Sequence, residues 1–146
     1  MTGDIVVISC IEVLHQNPVL EQMATELENL GPDGYVLAAA WCPENAEWHC
    51  HSSIHFPECP KGTGPSFLAA MHRSLYEKVG GFNEEMREGA GYEDRDFIFR
   101  LLEAGAKFKI RDDLVVWHPK GGGARIKWPA EKFARNEEIY RRRWLC

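Results

Sequence analysis

The sequence predicts an α/β domain in which helices pack on a sheet. Three observations carry this. Short β-branched or apolar runs are bounded by turn residues, amphipathic segments at helical spacing lie between them, and the order along the chain alternates. Asp4-Ile5-Val6-Val7-Ile8-Ser9 is apolar on both faces and predicts a strand buried in the sheet. Asn17-Pro18 then reads as an N-cap followed by proline at the first helical position. Leu20, Met23, Ala24, Leu27 and Leu30 repeat at helical spacing up to Gly31. Pro32-Asp33-Gly34 predicts a turn, and the apolar run from Tyr35 to Trp41, closed by Cys42-Pro43, predicts a second core strand.

Residues 42–65 are rich in proline, glycine and polar aromatics, and read as one long irregular surface segment. Phe67 to His72 predicts a short buried strand. Ser74-x-x-Glu77 reads as a capping box opening a helix that Gly80-Gly81 closes, with Phe82-Asn83-Glu84-Glu85 as a turn. A helix is expected from Glu93 or Asp94, with Ile98, Leu101 and Leu102 on one side, as far as Gly105. Two strands follow, Lys107–Ile110 and Leu114–Trp117, separated by Arg111-Asp112-Asp113. From Ala130 to Trp144, Phe133, Asn136 or Glu137, Tyr140 and Trp144 fall at helical spacing, and Arg141-Arg142-Arg143 complement the dipole of the last turn.

A chain of 146 residues, 45% hydrophobic and 27% charged, is expected to form a single domain over residues 1–146. Seventeen basic against twenty-two acidic side chains give a net charge of −5, which disfavours a nucleic-acid partner. No apolar run approaches the ~20 residues of a membrane span, and Met1-Thr2-Gly3-Asp4 carries no basic leader. Five cysteines, an odd number in a chain with ample core, argue against a disulfide scaffold and for a reducing, cytoplasmic setting.

The densest chemistry lies in Gly89-Ala90-Gly91-Tyr92-Glu93-Asp94-Arg95-Asp96, where three carboxylates fall within four residues at the start of a helix. One or two acids there are explained by capping and the helix dipole. Three together favour a cleft in which one acts as general base and another orders it. His118 ends the last strand before Gly121-Gly122-Gly123, at the sheet edge where ligands of α/β folds gather. Glu12 and His15 follow the first strand, either as metal ligands or as solvated turn residues. Trp48-His49-Cys50-His51 with His55 and Cys59 suggests zinc, but the spacing matches no standard zinc module, so loop packing is the preferred reading. Arg100, one to two turns into the helix, is placed to pair with the acids or a phosphate, or simply with Asp96 at i,i+4 within the helix. Trp41, Trp48 and Tyr92 offer faces for sugar stacking, although Trp41 within its apolar run suits the core.

Residues 67–73, Val79-Gly80-Gly81-Phe82-Asn83-Glu84, Gly91-Tyr92-Glu93-Asp94-Arg95-Asp96-Phe97, Arg100-Leu101 and Gly105 together resemble the acceptor-side half of GT-A glycosyltransferases, of the family 2 and galactosyltransferase C-terminal type. The resemblance is strong over residues 66–118 and weaker over 4–41. It implies a GT-A-like partial domain: a mixed sheet flanked by helices, comprising the acceptor and metal side and lacking the N-terminal nucleotide-binding half. It implies transfer of a sugar from a nucleotide-sugar donor to a hydroxyl acceptor, with Asp94 as base and Glu93 beside it. Asp96, Tyr92, Gly91 and Arg100 would contact substrate, and Glu12 and His118 would hold Mn²⁺ or Mg²⁺. The family's Asp-x-Asp metal motif is represented here by Ser9-Cys10-Ile11-Glu12, in which only Glu12 is a carboxylate. A non-catalytic carbohydrate- or protein-binding remnant is the alternative, and a zinc module on His49, His51, Cys50 and Cys59 a third.

Overall fold

The computed structural model describes residues 3–15, 18–55, 67–119 and 128–145. A mixed sheet organises the chain around β2 (Gly34–Cys42), whose residues are buried except for half-buried Trp41. On one side of β2 lies β5 (Lys107–Trp117), parallel to it. On the other side β4 (Leu68–His72) pairs antiparallel with Tyr35–Leu37, and β3 (Glu47–Cys50) pairs antiparallel with Ala40–Cys42. The strand β1 (Ile5–Ser9) is antiparallel to β4 at the sheet edge. Strands β1, β2 and β5 therefore run in one direction, and their carboxyl ends share one rim of the sheet.

Helix α1 (Val19–Leu30) buries Val19, Met23 and Leu27 against β2 and β4. The four-residue α2 (Ser52–His55) follows β3, and α3 (Arg73–Val79) leaves β4 directly. Helix α4 (Glu93–Glu103) buries Phe97, Ile98 and Leu101. Phe97 is a hub: it stacks on Phe82 at 4.6 Å and meets Tyr35 edge-on at 6.5 Å, joining the helix layer to the central strand. Helix α5 (Ala130–Trp144) packs on the 3-10 turn Glu84–Met86.

Several expectations are corrected. Strand β1 is not buried on both faces: Val6 points inward, whereas Ile5 and Val7 are 36% and 44% exposed, because β1 has a neighbour only in β4. Residues 42–65 are not wholly irregular, since β3 and α2 occupy part of that segment. There the β2–β3 ladder and the edge-to-face pair of Trp41 and Trp48, 4.8 Å apart, outweigh the turn-rich composition. The two strands expected at 107–110 and 114–117 are one. Arg111 pairs with Ala38 and Val115 with the next residue, Ala39, so Asp112, Asp113 and Leu114 bulge out of a continuous strand. Arg111 secures the bulge by donating to both oxygens of Asp113, at 2.8 and 2.6 Å, and to Glu26 of α1 at 2.9 Å.

At α3 the N-cap is His72, with no side-chain cap bond, so the capping box of Ser74 and Glu77 does not form. The helix does close on Gly80, whose left-handed φ of +76° admits glycine readily. Pro18 stands just before α1 rather than at its first helical position, and Asn17, Cys59 and the Gly121–Gly123 run lie outside the described residues.

Candidate functional site

The acid loop is held in an unusual conformation by α5. Gly91 and Tyr92 both have φ of +69°, a left-handed pair that costs a tyrosine about 1–2 kcal/mol. Contacts from α5 compensate. The Gly91 carbonyl accepts from Asn136 Nδ2 at 2.8 Å, and the Ala90 amide donates to the Lys132 carbonyl at 3.2 Å. The Tyr92 ring lies 5.4 Å from that of Tyr140, and the Arg95 guanidinium sits over the Tyr92 ring, 5.5 Å from its centroid. Gly89 is required by close approach, since a Cβ there would collide with the Asn136 carboxamide. The kinked loop delivers Glu93 and Asp94 as the first residues of α4.

Asp96 and Arg100, expected to contact substrate or to order the acid cluster, lie in the interior. Asp96 is 0% exposed and accepts from Arg100 Nε and Trp144 Nε1, each at 2.9 Å. Arg100 in turn donates from Nη1 to the carbonyls of Val79 and Gly81, at 2.6 and 2.5 Å. One carboxylate thus ties α4 to the end of α5 and, through Arg100, to the turn that follows α3. These residues position the acid loop.

Asp94 is the perturbed acid. Burial, reinforced by the neighbouring Glu93 carboxylate, pushes its pKa from 3.8 up to about 6. Glu93 faces a cavity of about 300 Å³ that Phe82, Asn83, Met86 and Gly89 also line. Its Oε2 is buried there with no hydrogen-bond partner among the described residues. An acid poised near neutrality, next in sequence to one that lines a cavity, has the character of a general base.

The second half of the site gathers at the carboxyl rim of the sheet. Past the end of β1 the Cys10 amide donates to the Phe67 carbonyl at 2.8 Å. Leu14 and Trp117 exchange backbone hydrogen bonds of 2.8 and 2.9 Å, which lays the Cys10–Leu14 turn alongside the end of β5. The His118 amide donates to the Trp41 carbonyl at 2.9 Å, fixing the histidine beyond the last rung. These ties bring a ligand atom each from Cys10, Glu12 and His118 within 4.8 Å of one another. The Cys10 pKa is raised by burial, by Glu12 and by Asp94, so that acid is near enough to oppose ionisation of the thiol.

His118 Nδ1 lies 2.9 Å from His49 Nδ1, and the Phe67 ring packs on both imidazoles. Burial and His49 lower the His118 pKa, against the opposing pull of Glu12 and Glu44, so the ring is neutral at neutral pH and has a lone pair to offer.

Of the residues expected from the sequence, Glu12 and His118 come together here, while Glu93 and Asp94 stand at the start of α4; Cys10 and His49 join the group without having been expected as ligands of it. Cys10 is legible only as the residue next to a turn. His49 arrives from β3 through a strand irregularity that composition does not signal. His15 stands apart, exposed beside a small cavity lined by Leu14, Val115 and Trp117. Of the set His49, Cys50, His51 and Cys59, the last lies outside the described residues, and the other three form no ligand group of their own among them. Cys50 faces the core, with its thiol pushed up to about 12 by burial and by Asp112. His51 stacks on Trp48 and pairs with Asp112 at 3.6 Å.

A divalent cation fits Glu12 and His118, which present one carboxylate and one imidazole. That mixed oxygen and nitrogen pair suits Mn²⁺ better than Mg²⁺, which prefers oxygen throughout. With its thiol held protonated, Cys10 is the weakest of the three as a ligand.

Residues 50–116, just under half of the chain, match the model of a family described as the N-terminal domain of galactosyltransferase. The matched segment includes the glycine turn after α3, the acid loop and most of β5. It supports a glycosyltransferase-related domain at the residues where the resemblance is strongest, under an N-terminal rather than a C-terminal description. A comparison with curated proteins gives no match.

Two outcomes follow from this geometry. Asp96→Ala leaves the buried Arg100 charge without its carboxylate and frees the Trp144 indole, so unfolding free energy should fall by about 3–5 kcal/mol in a denaturant titration, with α5 the first element cut by protease. Asp94→Asn should act in the opposite direction. Because the folded-state pKa is raised, this acid stabilises the fold below pH 3.8 relative to higher pH, and that contribution is lost as pH rises through about 6. Removing the charge should therefore raise stability by about 1–3 kcal/mol at pH 7.5, and much less at pH 4, in melts of the two proteins side by side.

Proposed function

We propose that the protein is a sugar-transferring domain in which Asp94 is the general base toward an acceptor hydroxyl and Glu12 with His118 holds a divalent cation at the donor diphosphate. One observation carries this reading: a half-buried carboxylate with a pKa of about 6 acts electrostatically on Cys10, the residue grouped with a carboxylate and an imidazole at the carboxyl rim of the sheet. The similarity of residues 50–116 to a galactosyltransferase domain gives the chemistry its class.

A sugar hydroxyl is a weak nucleophile. Its attack on the anomeric carbon is assisted when the developing proton passes to a carboxylate within hydrogen-bond reach. In this scheme Asp94 takes that proton, a bond forms from acceptor oxygen to anomeric carbon, and the bond from that carbon to the diphosphate oxygen breaks. The in-line displacement inverts the anomeric centre. A bound Mn²⁺ would supply neutralisation of the charge gathering on the leaving diphosphate. Glu93, on the wall of the cavity lined by Phe82, Asn83 and Met86, has an unpaired oxygen ready to accept from an acceptor hydroxyl. Tyr92 turns the chain so that both acids begin α4, and Asp96 and Arg100 hold that turn in place.

The test is titration with a nucleotide-sugar and Mn²⁺, followed by assay of transfer to simple sugar acceptors. Mn²⁺ binding should weaken at least about tenfold in Glu12→Gln and in His118→Ala, read as free Mn²⁺ by electron paramagnetic resonance. Transfer should fall about 10²–10⁴-fold in Asp94→Asn with donor binding kept. In the parent protein, log kcat/KM should rise with pH through about 6 and then level, because the base works only when ionised. Undiminished transfer in Asp94→Asn would refute the base assignment. Carbohydrate binding without donor binding would favour a non-catalytic module.

A further inference from the structure

The β2–β3 hairpin brings together a second set of soft and borderline donors that the transfer chemistry does not use. Cys42 ends β2 and pairs directly with Glu47 across the ladder, so their side chains share a face. Ala40 pairs with Cys50 and Trp41 with Trp48, leaving His49 as the extra residue of a bulge. A bulge re-aims the residue it carries. Here it brings the ring of His49 toward the Cys42–Glu47 pair, and one ligand atom from each of the three lies within 4.8 Å of the others. His49 Nε2 is 3.4 Å from Glu47 Oε1, and Asn45 Nδ2 donates to the same oxygen at 2.6 Å, steadying the carboxylate. Cys42 is fully buried, whereas the Glu47 side chain is 51% exposed, so the pocket has a dry floor and an open mouth.

We infer that Cys42, Glu47 and His49 form a zinc-class cation site, distinct from the Glu12–His118 pair. Thiol, imidazole and carboxylate are the donor types Zn²⁺ takes, and three protein ligands leave a fourth position for water at the exposed mouth. An ion would replace the proton that the Cys42 thiol donates to Glu44 Oε2 at 3.5 Å, and the contact of His49 with Glu47.

The site also communicates with the first. The Nδ1 atoms of His49 and His118, 2.9 Å apart, can share one proton, and the two tautomers decide which ring donates it. A neutral imidazole has one N–H and one lone pair. When His49 ligates through Nε2, its Nδ1 must carry the proton and donate to His118, whose own proton then sits on Nε2. Neither nitrogen of His118 is left to bind a cation. When instead His118 donates from Nδ1, its Nε2 lone pair is open and His49 Nε2–H can donate to Glu47. Zinc in the hairpin and Mn²⁺ on His118 are thus antagonists. The hairpin site stands independently of the transferase reading, and only its effect on His118 rests on that reading.

Co²⁺ is the probe, added to the full-length protein under reducing conditions, because a thiolate ligand gives it a charge-transfer absorption. The band should appear in the parent protein and in Cys10→Ser, and should be absent in Cys42→Ser. Since Cys42 is buried, Glu47→Gln on the open side is the second variant, in which Co²⁺ and Zn²⁺ should bind about tenfold or more weakly with the circular dichroism unchanged. Zn²⁺ at one equivalent should weaken Mn²⁺ binding about tenfold in the parent protein and leave it unchanged in Cys42→Ser. A band that survives in Cys42→Ser, or is lost in Cys10→Ser alone, would overturn the hairpin site, as would unchanged affinity in Glu47→Gln. If the band behaves as expected while Mn²⁺ fails to bind the parent protein at all, the hairpin site stands and the Glu12–His118 assignment falls.

Discussion

The Asp96 carboxylate is the interaction on which the site depends. Buried without exposure, it joins the indole of Trp144 at the end of α5 to Arg100 of α4, and Arg100 reaches on to the carbonyls of Val79 and Gly81. A charge so placed stabilises a fold only when its partners are in position, and for that reason it also specifies their arrangement. Three segments far apart in sequence are held by one side chain. The strained Gly91–Tyr92 turn can then persist, because its two flanks are fixed from outside rather than by its own preferences.

The consequence is a division of labour among three acids in one short stretch. Asp96 faces inward and is neutralised by its partners. Glu93 faces the cavity beside the 3-10 turn, and Asp94 has its pKa raised by burial and by Glu93. Environment alone separates their roles, since the side chains differ by at most one methylene. At the same rim the parallel strands β1, β2 and β5 end together. That is why a turn from near the start of the chain, a histidine after β5 and a histidine from a hairpin converge over so small a region.

Much of this was legible in the sequence. The helical periods of α1, α4 and α5 identified those elements nearly to the residue, because each has one apolar stripe and a clear stop. Glu12, His118 and Asp94 were nameable from their place at element ends. The two bulges were not. Arg111-Asp112-Asp113 reads locally as a turn, and only the continued pairing of β5 with β2 makes it an interruption within one strand. His49 reads as part of a loop, and only the β2–β3 register turns it toward Cys42 and His118. The inward fate of Asp96 was half visible in its i,i+4 spacing from Arg100. The decisive partner, Trp144, lies 48 residues away and is invisible to any local pattern.

The central claim is that Asp94 and the Glu12–His118 pair face one pocket, and Mn²⁺ itself can report on that. As a paramagnetic ion it broadens nuclear resonances within a short radius of where it binds, so an amide spectrum recorded at a small fraction of one equivalent maps the surroundings of the bound ion. Selective broadening of the amides at residues 10–12, 93–95 and 118, ahead of the rest of the chain, is the predicted result. Broadening at residues 10–12 and 118 with the start of α4 untouched would place the acid outside the pocket and contradict the account.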